Sequence, residues 1–335
     1  MSKRPTMADV ARSCGVTIAT VSRVLNHKKK NFSATPEVRK RIWNSTRDLG
    51  YIPDPSARSL ILGNSRVVSV FGAPRSRLAE GINESIIEGM AEILHGAGCD
   101  IFFELTPMQS MKHSLPMWRF DGAMLMQAPN PDTVKELDVR GVPYICVNER
   151  VGRGVAHVLA DDVMGMNRAI SHLTQLGHRR IGYANVRVAG ATHYSVFDRH
   201  NTLLAASKKG IIQLVEGHDM PFDSPTEFID KIVLKNAATA IIAYDHRKAV
   251  TLLGAAQSMG LSVPDNFSLI CFNDVFPVRV LYPPLTTVVV AGHEMGRTAA
   301  HLLLNHLTAP ESILGKEVRI PEDLIIRGST APANP

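Results

Sequence analysis

The sequence predicts an all-α head over residues 1–52, a short linker over 53–65, and an α/β body over 66–335 built as two lobes. Three observations predict it. Residues 6 to 50 contain three short helical segments, each with its own start or stop signal. From residue 66 onward, apolar runs of strand length alternate with helical segments. The chain has 335 residues, 45% of them hydrophobic, which is enough apolar material for two or three packed units.

The elements follow in order. Thr6 with Asp9 reads as a capping box, Val10 and Ala11 form the inward face of the helix it opens, and Gly15 stops that helix. Thr17 caps a second helix whose Val21 and Val24 point inward, leaving Ile18, Ala19, Thr20, Ser22 and Arg23 outside. The spacing of Ala11, Gly15 and Val21 is that of a helix-turn-helix, and it also fits an ordinary helical hairpin. Thr35-Pro36-Glu37 starts a third helix that runs through Leu49, with Val38, Ile42 and Trp43 as its core, and Gly50 ends it. Pro53 and Pro55 block any continuation. Ser56 to Leu62 then forms a helix too short to hold without a partner.

The body reads as RVVSVFG, a helix from Asn83 to Gly96, CDIFFEL, DGAMLMQ, VPYICVN, VAHVLA, HRRIGYA, TAIIAYD and FSLICFN. Gly98, Gly177 and Gly260 each end a helix just before a strand, the mark of repeated αβ units with right-handed crossovers. The first lobe is expected over about 66–159 and 291–316, and the second over about 160–289 and 318–335. LTTVVV at 285–290 is expected to be a crossing strand, and a helix from Glu294 to Leu307 to return to the first lobe.

Charge is unevenly placed. The net charge is +6, yet residues 1–63 hold 12 Lys and Arg against 4 Asp and Glu, while the remainder holds 25 against 27. A basic head on a slightly acidic body fits contact with polyphosphate; a solvated basic face gives the same count. Cys14, Cys99, Cys146 and Cys271 lie far apart without a CxxC pair, so neither a disulfide framework nor a thiolate zinc site is expected. No apolar run approaches a membrane span and the basic N-terminus has no signal-peptide core, so a cytoplasmic protein without membrane contact is expected.

With these elements in place, the sequence resembles the lactose-repressor-type (LacI/GalR) family of bacterial transcription regulators. The resemblance lies in DVARSCGVTIATVSRVLN, in LGYIPDPSARSL, and then along nearly the whole body. It implies a three-helix DNA-binding head and a hinge helix that folds only on operator DNA. It also implies a periplasmic-binding-protein-like sensor that dimerises and holds a small effector between its lobes. By position, Thr17, Ile18, Ala19, Thr20, Ser22 and Arg23 fall on the recognition helix. Ile18 and Ala19 take its main base-reading places, where apolar side chains press on thymine methyls, so Arg23 is left as the polar reader of guanine. Thr17, Thr20 and Ser22 are expected on phosphates. Lys28, Lys29 and Lys30 lie in a loop about three residues longer than the usual family spacing and add phosphate contacts or simple solvation. Ala57 and Leu60 fall in the hinge helix, Leu60 where the family places a leucine wedge in the minor groove of a palindromic site.

In the sensor, Asn148, Arg199, Asp245 and Asn273 match positions that commonly contact the effector, and all are polar residues at strand ends or helix starts. Asn148 and Asn273 stand where acids are usual, and His246 where the family has Asp. With Arg75 and Arg77 near the first strand, this loss of negative charge predicts a sugar acid or sugar phosphate over a neutral sugar. Arg199 is expected to hold its anionic or hydroxylated edge. The chain ends at RGSTAPANP without a leucine heptad, which favours a homodimer over a tetramer.

An enzyme is not expected, because GxGxxG after a strand, GxxxxGK[ST], GxSxG and HExxH are all missing, and GHEMG at 292–296 has no second ligand at helical spacing. No cofactor or metal is expected. The histidines at 172, 178 and 301 read as surface or helix-end residues. Two alternatives stay open at this point: an effector-binding module of the same fold without a DNA role, and a regulator that answers to a nucleoside or purine.

Overall fold

A computed structural model describes residues 5–25, 34–52, 64–72, 81–104, 120–126, 131–185, 193–215, 224–310 and 314–333. The chain divides into two compact units, Met1–Ser65 and Arg66–Pro335.

In the first unit, α1 (Met7–Cys14) opens on the expected capping box. Thr6 Oγ1 accepts from Asp9 N, and the Asp9 carboxylate accepts from Thr6 N at 2.9 Å. Gly15 takes the left-handed conformation at φ 63° that ends the helix, which any side chain would resist. Thr17 caps α2 (Ile18–Leu25) through Thr20 N, and Thr35 caps α3 (Pro36–Asp48) with proline in the first turn. Val10, Ala11, Cys14, Val21, Val24 and Ile42 form one buried cluster, with Val38 packed against it. Trp43 departs from expectation: it is 46% exposed, and Ser45 and Thr46 are buried in its stead. The helical period explains this, because 38, 42, 45 and 46 share a face and 43 lies about 100° round from 42.

The second unit contains two six-stranded sheets. The first has the order β11-β5-β4-β3-β1-β2, all parallel: β1 (Val67–Phe71), β2 (Asp100–Glu104), β3 (Gly122–Leu125), β4 (Tyr144–Val147), β5 (Ala156–Ala160) and β11 (Lys316–Ile320). The second has the order β12-β10-β9-β8-β6-β7: β6 (Arg180–Ala184), β7 (Gln213–Val215), β8 (Ala240–Ala243), β9 (Ser268–Phe272), β10 (Thr286–Val289) and β12 (Asp323–Ile325), with only β12 antiparallel. The expected strand runs are all present, and β7, β11 and β12, which are short or exposed, add to them. The central strands are buried along their length, as continuous apolar runs covered on both faces require.

Two expected details change. The 285–290 run is not a crossing strand: β10 sits inside the second sheet beside β9, and the chain crosses after it. β11 completes the edge of the first sheet through Ile320, so the last crossing lies at residues 321–322. The chain passes between lobes at three places: after β5, after β10, and between β11 and β12.

Helix α4 (Ile82–Gly96) packs closely on α10 (Gly292–Thr308) over the first sheet, while α6 (Asp162–Gln175), α7 (Tyr194–Lys208) and α9 (His246–Ser258) cover the second. GHEMG acquires a role here. Gly292 and Gly296 let α10 meet α4 backbone to backbone, since a methyl on Gly296 would lie 2.0 Å from the Ile86 carbonyl oxygen.

The last described residues are laced into the second lobe, and His178 is part of the lacing. Expected at the surface or at a helix end, it lies just past the end of α6 and is 2% exposed. Its Nε2 donates to the Ala331 carbonyl at 2.9 Å, so its Nδ1 accepts from the Thr239 hydroxyl at 2.8 Å. His172 meets Thr330 at 3.0 Å. Burial lowers the pKa of both histidines below the ordinary 6.5, with His178 adding to the effect on His172. The unfolded chain therefore takes up these protons first, and their contribution to stability is full above 6.5 and lost as pH falls below it. Urea unfolding at pH 7.5 and 5.5 should show a larger loss in wild type than in His178→Gln; equal losses would contradict this.

Candidate functional site

In the first unit, the turn between α1 and α2 presents one side of α2 outward. Thr17, Ile18, Ala19 and Arg23 are exposed, Ile18 by 51%, while Thr20 and Ser22 are half-buried. Thr17 and Thr20 are joined by a 2.9 Å hydroxyl bond and a backbone bond, so the two hydroxyls are held together at the start of α2. The exposed row combines two apolar side chains with one guanidinium, a set able to meet thymine methyls and a guanine edge. Lys28, Lys29, Lys30, Ala57, Leu60, Arg75 and Arg77 lie outside the described residues.

In the second unit, a cavity of about 240 Å³ opens between the lobes, and Asn148, Arg199, Asp245 and Asn273 all line it. A pair of matching turns brings two of them there. Asn148 follows β4 and Asn273 follows β9, both at positive φ, 56° and 74°. Each donates its backbone N–H across to the next strand, Asn148 to Val158 and Asn273 to Val288. A left-handed residue in this position favours asparagine, because its short amide relieves the conformation locally. The exchange of acid for amide at both places is thus a backbone matter as well as a question of charge.

Asp245 caps α9: one oxygen accepts from Lys248 N at 2.9 Å and the other meets Arg247 at 3.2 Å. Arg199 lies in the second turn of α7, which begins at Tyr194, earlier than expected because His193 caps it. It is 4% exposed and heavily committed. Its Nε donates to Asp162 Oδ1 and its Nη1 to the Tyr244 carbonyl, both at 2.5 Å, and the guanidinium lies 3.7 Å from the Phe272 ring centre. Burial pushes the Asp162 carboxyl up while Arg199 pulls it down, and burial would lower Arg199 but Asp162 holds it protonated. A guanidinium keeps its proton in proteins, so the pair is ionised and close to neutral overall. Arg199, expected to hold an anionic or hydroxylated edge, is already paired and is not an available charge, whereas the amides at Asn148 and Asn273, the other ground for an anionic ligand, stand as read.

The structure adds His193, Ser195 and Tyr244 to the lining. His193 Nε2 donates to the Asn148 carbonyl at 2.5 Å, so Nδ1 accepts from Ser195 Oγ at 2.7 Å, and Ser195 in turn accepts from the Tyr244 hydroxyl at 2.7 Å. Tyr194 Oη accepts from Ala160 N and donates to Asn148 Oδ1, both at 2.9 Å, so Asn148 offers the cavity its Nδ2. Burial holds the Tyr194 and Tyr244 hydroxyls above their ordinary pKa. Tyr244 was within reach of sequence reading, since it immediately precedes Asp245 at the end of β8. His193 and Ser195 were not, because their roles arise only when α7 meets β4.

An outward-facing α2 on a three-helix unit and a polar cavity between two parallel-sheet lobes define a DNA-binding regulator with a ligand-sensing body. Residues 6–54 match the family model for bacterial regulatory proteins of the lacI family, and residues 170–330 match a periplasmic binding protein-like domain. The chain belongs to the LacI family of transcription regulators, which are not enzymes. It is 26% identical to the HTH-type transcriptional regulator DegA of Bacillus subtilis over 99% of both chains. It is 27% identical to the HTH-type transcriptional repressor CytR of Escherichia coli over 97% of this chain and 96% of that one. Among solved structures, the lac repressor dimer bound to operator and the anti-inducer ONPF matches with TM-score 0.79 at 21% identity, covering 98% of this chain and all of that one. A CelR–cellobiose complex matches with TM-score 0.67 at 22% identity, over 97% and 100%. Among the described residues no helix is long and apolar enough to cross a membrane.

Proposed function

We propose that this regulator acts in the cytoplasm, on nucleoid DNA, as a homodimeric repressor of a palindromic operator, and that a neutral, polyhydroxylated small molecule in the inter-lobe cavity controls it. The proton inventory of the cavity carries the ligand class. Arg199 is spent on Asp162 and the Tyr244 carbonyl, and the Tyr244 hydroxyl gives its proton to Ser195 and so offers lone pairs. Asp245 accepts and Asn148 donates through Nδ2. Interleaved donors and acceptors suit hydroxyl groups, which are both at once. A purine is less well served, because the guanidinium of Arg199 already lies over the ring of Tyr244, the cavity-lining aromatic that would stack a base. Sugar-bound neighbours of the same fold, such as the cellobiose complex, agree with this reading.

Each lobe would take one side of the ligand, residues 1–52 would read DNA, and 53–65 would link the two. Operator selection from random DNA followed by a metabolite screen on the selected site tests the whole reading. A screen in which only carboxylates or phosphates shift DNA affinity would overturn the ligand class. Arg23 is the proposed base reader, so Arg23→Ala should weaken operator binding by about 1–3 kcal/mol per half-site while leaving random-duplex binding far less affected. Equal losses on the two DNAs in a filter-binding assay would reduce Arg23 to a phosphate contact.

A further inference from the structure

Among the buried oxygens without a hydrogen-bond partner in the described residues are Glu322 Oε1, Glu322 Oε2 and Asp162 Oδ2, from two carboxyl groups close enough to act on one another. Glu322 is fully buried in the two-residue link between β11 and β12, where the chain makes its last crossing between lobes. Its carboxyl lies on the bare face of α6 at Gly165, where a methyl would come 2.0 Å from Oε2. Asp162 is three residues before Gly165 on the same helix, so the two positions share a face. Carboxylates only accept, and two of them side by side without a donor would each bear the full cost of desolvation.

We propose that Glu322 is a positioning residue whose carboxyl keeps a proton at neutral pH and donates it to Asp162 Oδ2, holding Asp162 in the orientation in which Oδ1 grips Arg199. A single proton satisfies two of the three oxygens and leaves one carboxylate against one guanidinium. The groups facing Glu322 are Asp161 and Asp162 from the start of α6 and Tyr194 and Arg199 from α7. Burial and the Asp162 charge both raise its pKa well above the ordinary 4.5, and only Arg199 opposes them. The crossing between lobes and the wall of the cavity are thereby joined through three side chains. This holds whichever ligand the cavity takes.

Infrared spectroscopy of the full chain at pH 7 tests it directly. Wild type should show a carbonyl band of a protonated, hydrogen-bonded carboxylic acid that shifts on glutamate-specific carbon-13 labelling and disappears in Glu322→Gln. No protonated-acid band at pH 7, or one at the position of a free acid, would overturn the proposal without requiring any variant to fold. Glu322→Gln, whose amide supplies a donor at every pH, gives a second readout. An acid with a raised folded pKa loses stability as pH rises above 4.5 toward that pKa, so the folding constant of the variant relative to wild type should grow from pH 5 to pH 8 by up to about tenfold per unit. A ratio independent of pH would contradict a retained proton.

Discussion

Arg199→Leu should cost the second unit about 3–5 kcal/mol of stability, the range for removing one partner of a buried ion pair. The substitution leaves Asp162, which has no exposed surface, facing Glu322 without its counter-charge, and it frees the Tyr244 carbonyl of its donor. The loss should be largely recovered in the double variant Arg199→Leu/Asp162→Leu, because two apolar side chains of similar bulk carry no desolvated charge. Urea denaturation of the three proteins measures this, and a single-variant loss below about 1 kcal/mol would show the pair to be better solvated than its burial indicates. Removing Arg199 therefore does not cleanly test ligand response. Asn273→Asp is the better probe, because residue 273 lines the cavity without belonging to this ion pair and aspartate tolerates the left-handed turn that alanine would strain.

Gly296→Ala should be the other severe substitution, lowering stability by about 3 kcal/mol, the upper end of what overpacking costs. Its new methyl would lie 2.0 Å from the Ile86 carbonyl oxygen and 2.8 Å from Met90 N, both backbone atoms of α4, so no side chain can turn aside to admit it. Gly89 faces the same seam from the other helix, where an added methyl would lie 2.0 Å from the His293 carbonyl oxygen, and Gly89→Ala should behave alike. The two helices cover the first sheet, so forcing them apart opens the cluster formed by Ile86, Met90, Leu94, Met295 and Ala299. At about 2–4 °C per kcal/mol for a unit of this size, a thermal midpoint lowered by less than about 3 °C would contradict the close approach. Gly254→Ala, with open space around its Cα, serves as the matched control and should be neutral or mildly stabilising.

What could be read directly from residue order was whatever depends on near neighbours. The Thr6 and Thr35 caps, the left-handed Gly15 and the glycine stops before strands are decided within one helical turn, and the structure has them as read. Strand runs such as YICVN and LICFN are equally legible, because a strand buried on both faces must be apolar throughout. That Asn148, Asp245 and Asn273 share one cavity was legible through their places at strand ends and a helix start, a property of open parallel sheets, whereas Arg199 reaches it from the second turn of α7.

Tertiary structure alone decided what those side chains are free to do. Arg199 has the same residue type whether it waits for an anion or grips Asp162, which lies 37 positions earlier in the chain, and only the packing of α7 on α6 selects the second. His178 looks like a helix-end histidine until the chain near Ala331 returns to meet it. Glycines in GHEMG carry no sign of their partner until α4 lies across them. Local backbone preference and hydrophobic pattern act over a few residues and so are written in order along the chain. Hydrogen-bond partners, close backbone approaches and the ionisation of buried groups depend on distance through space, which the order of residues does not contain.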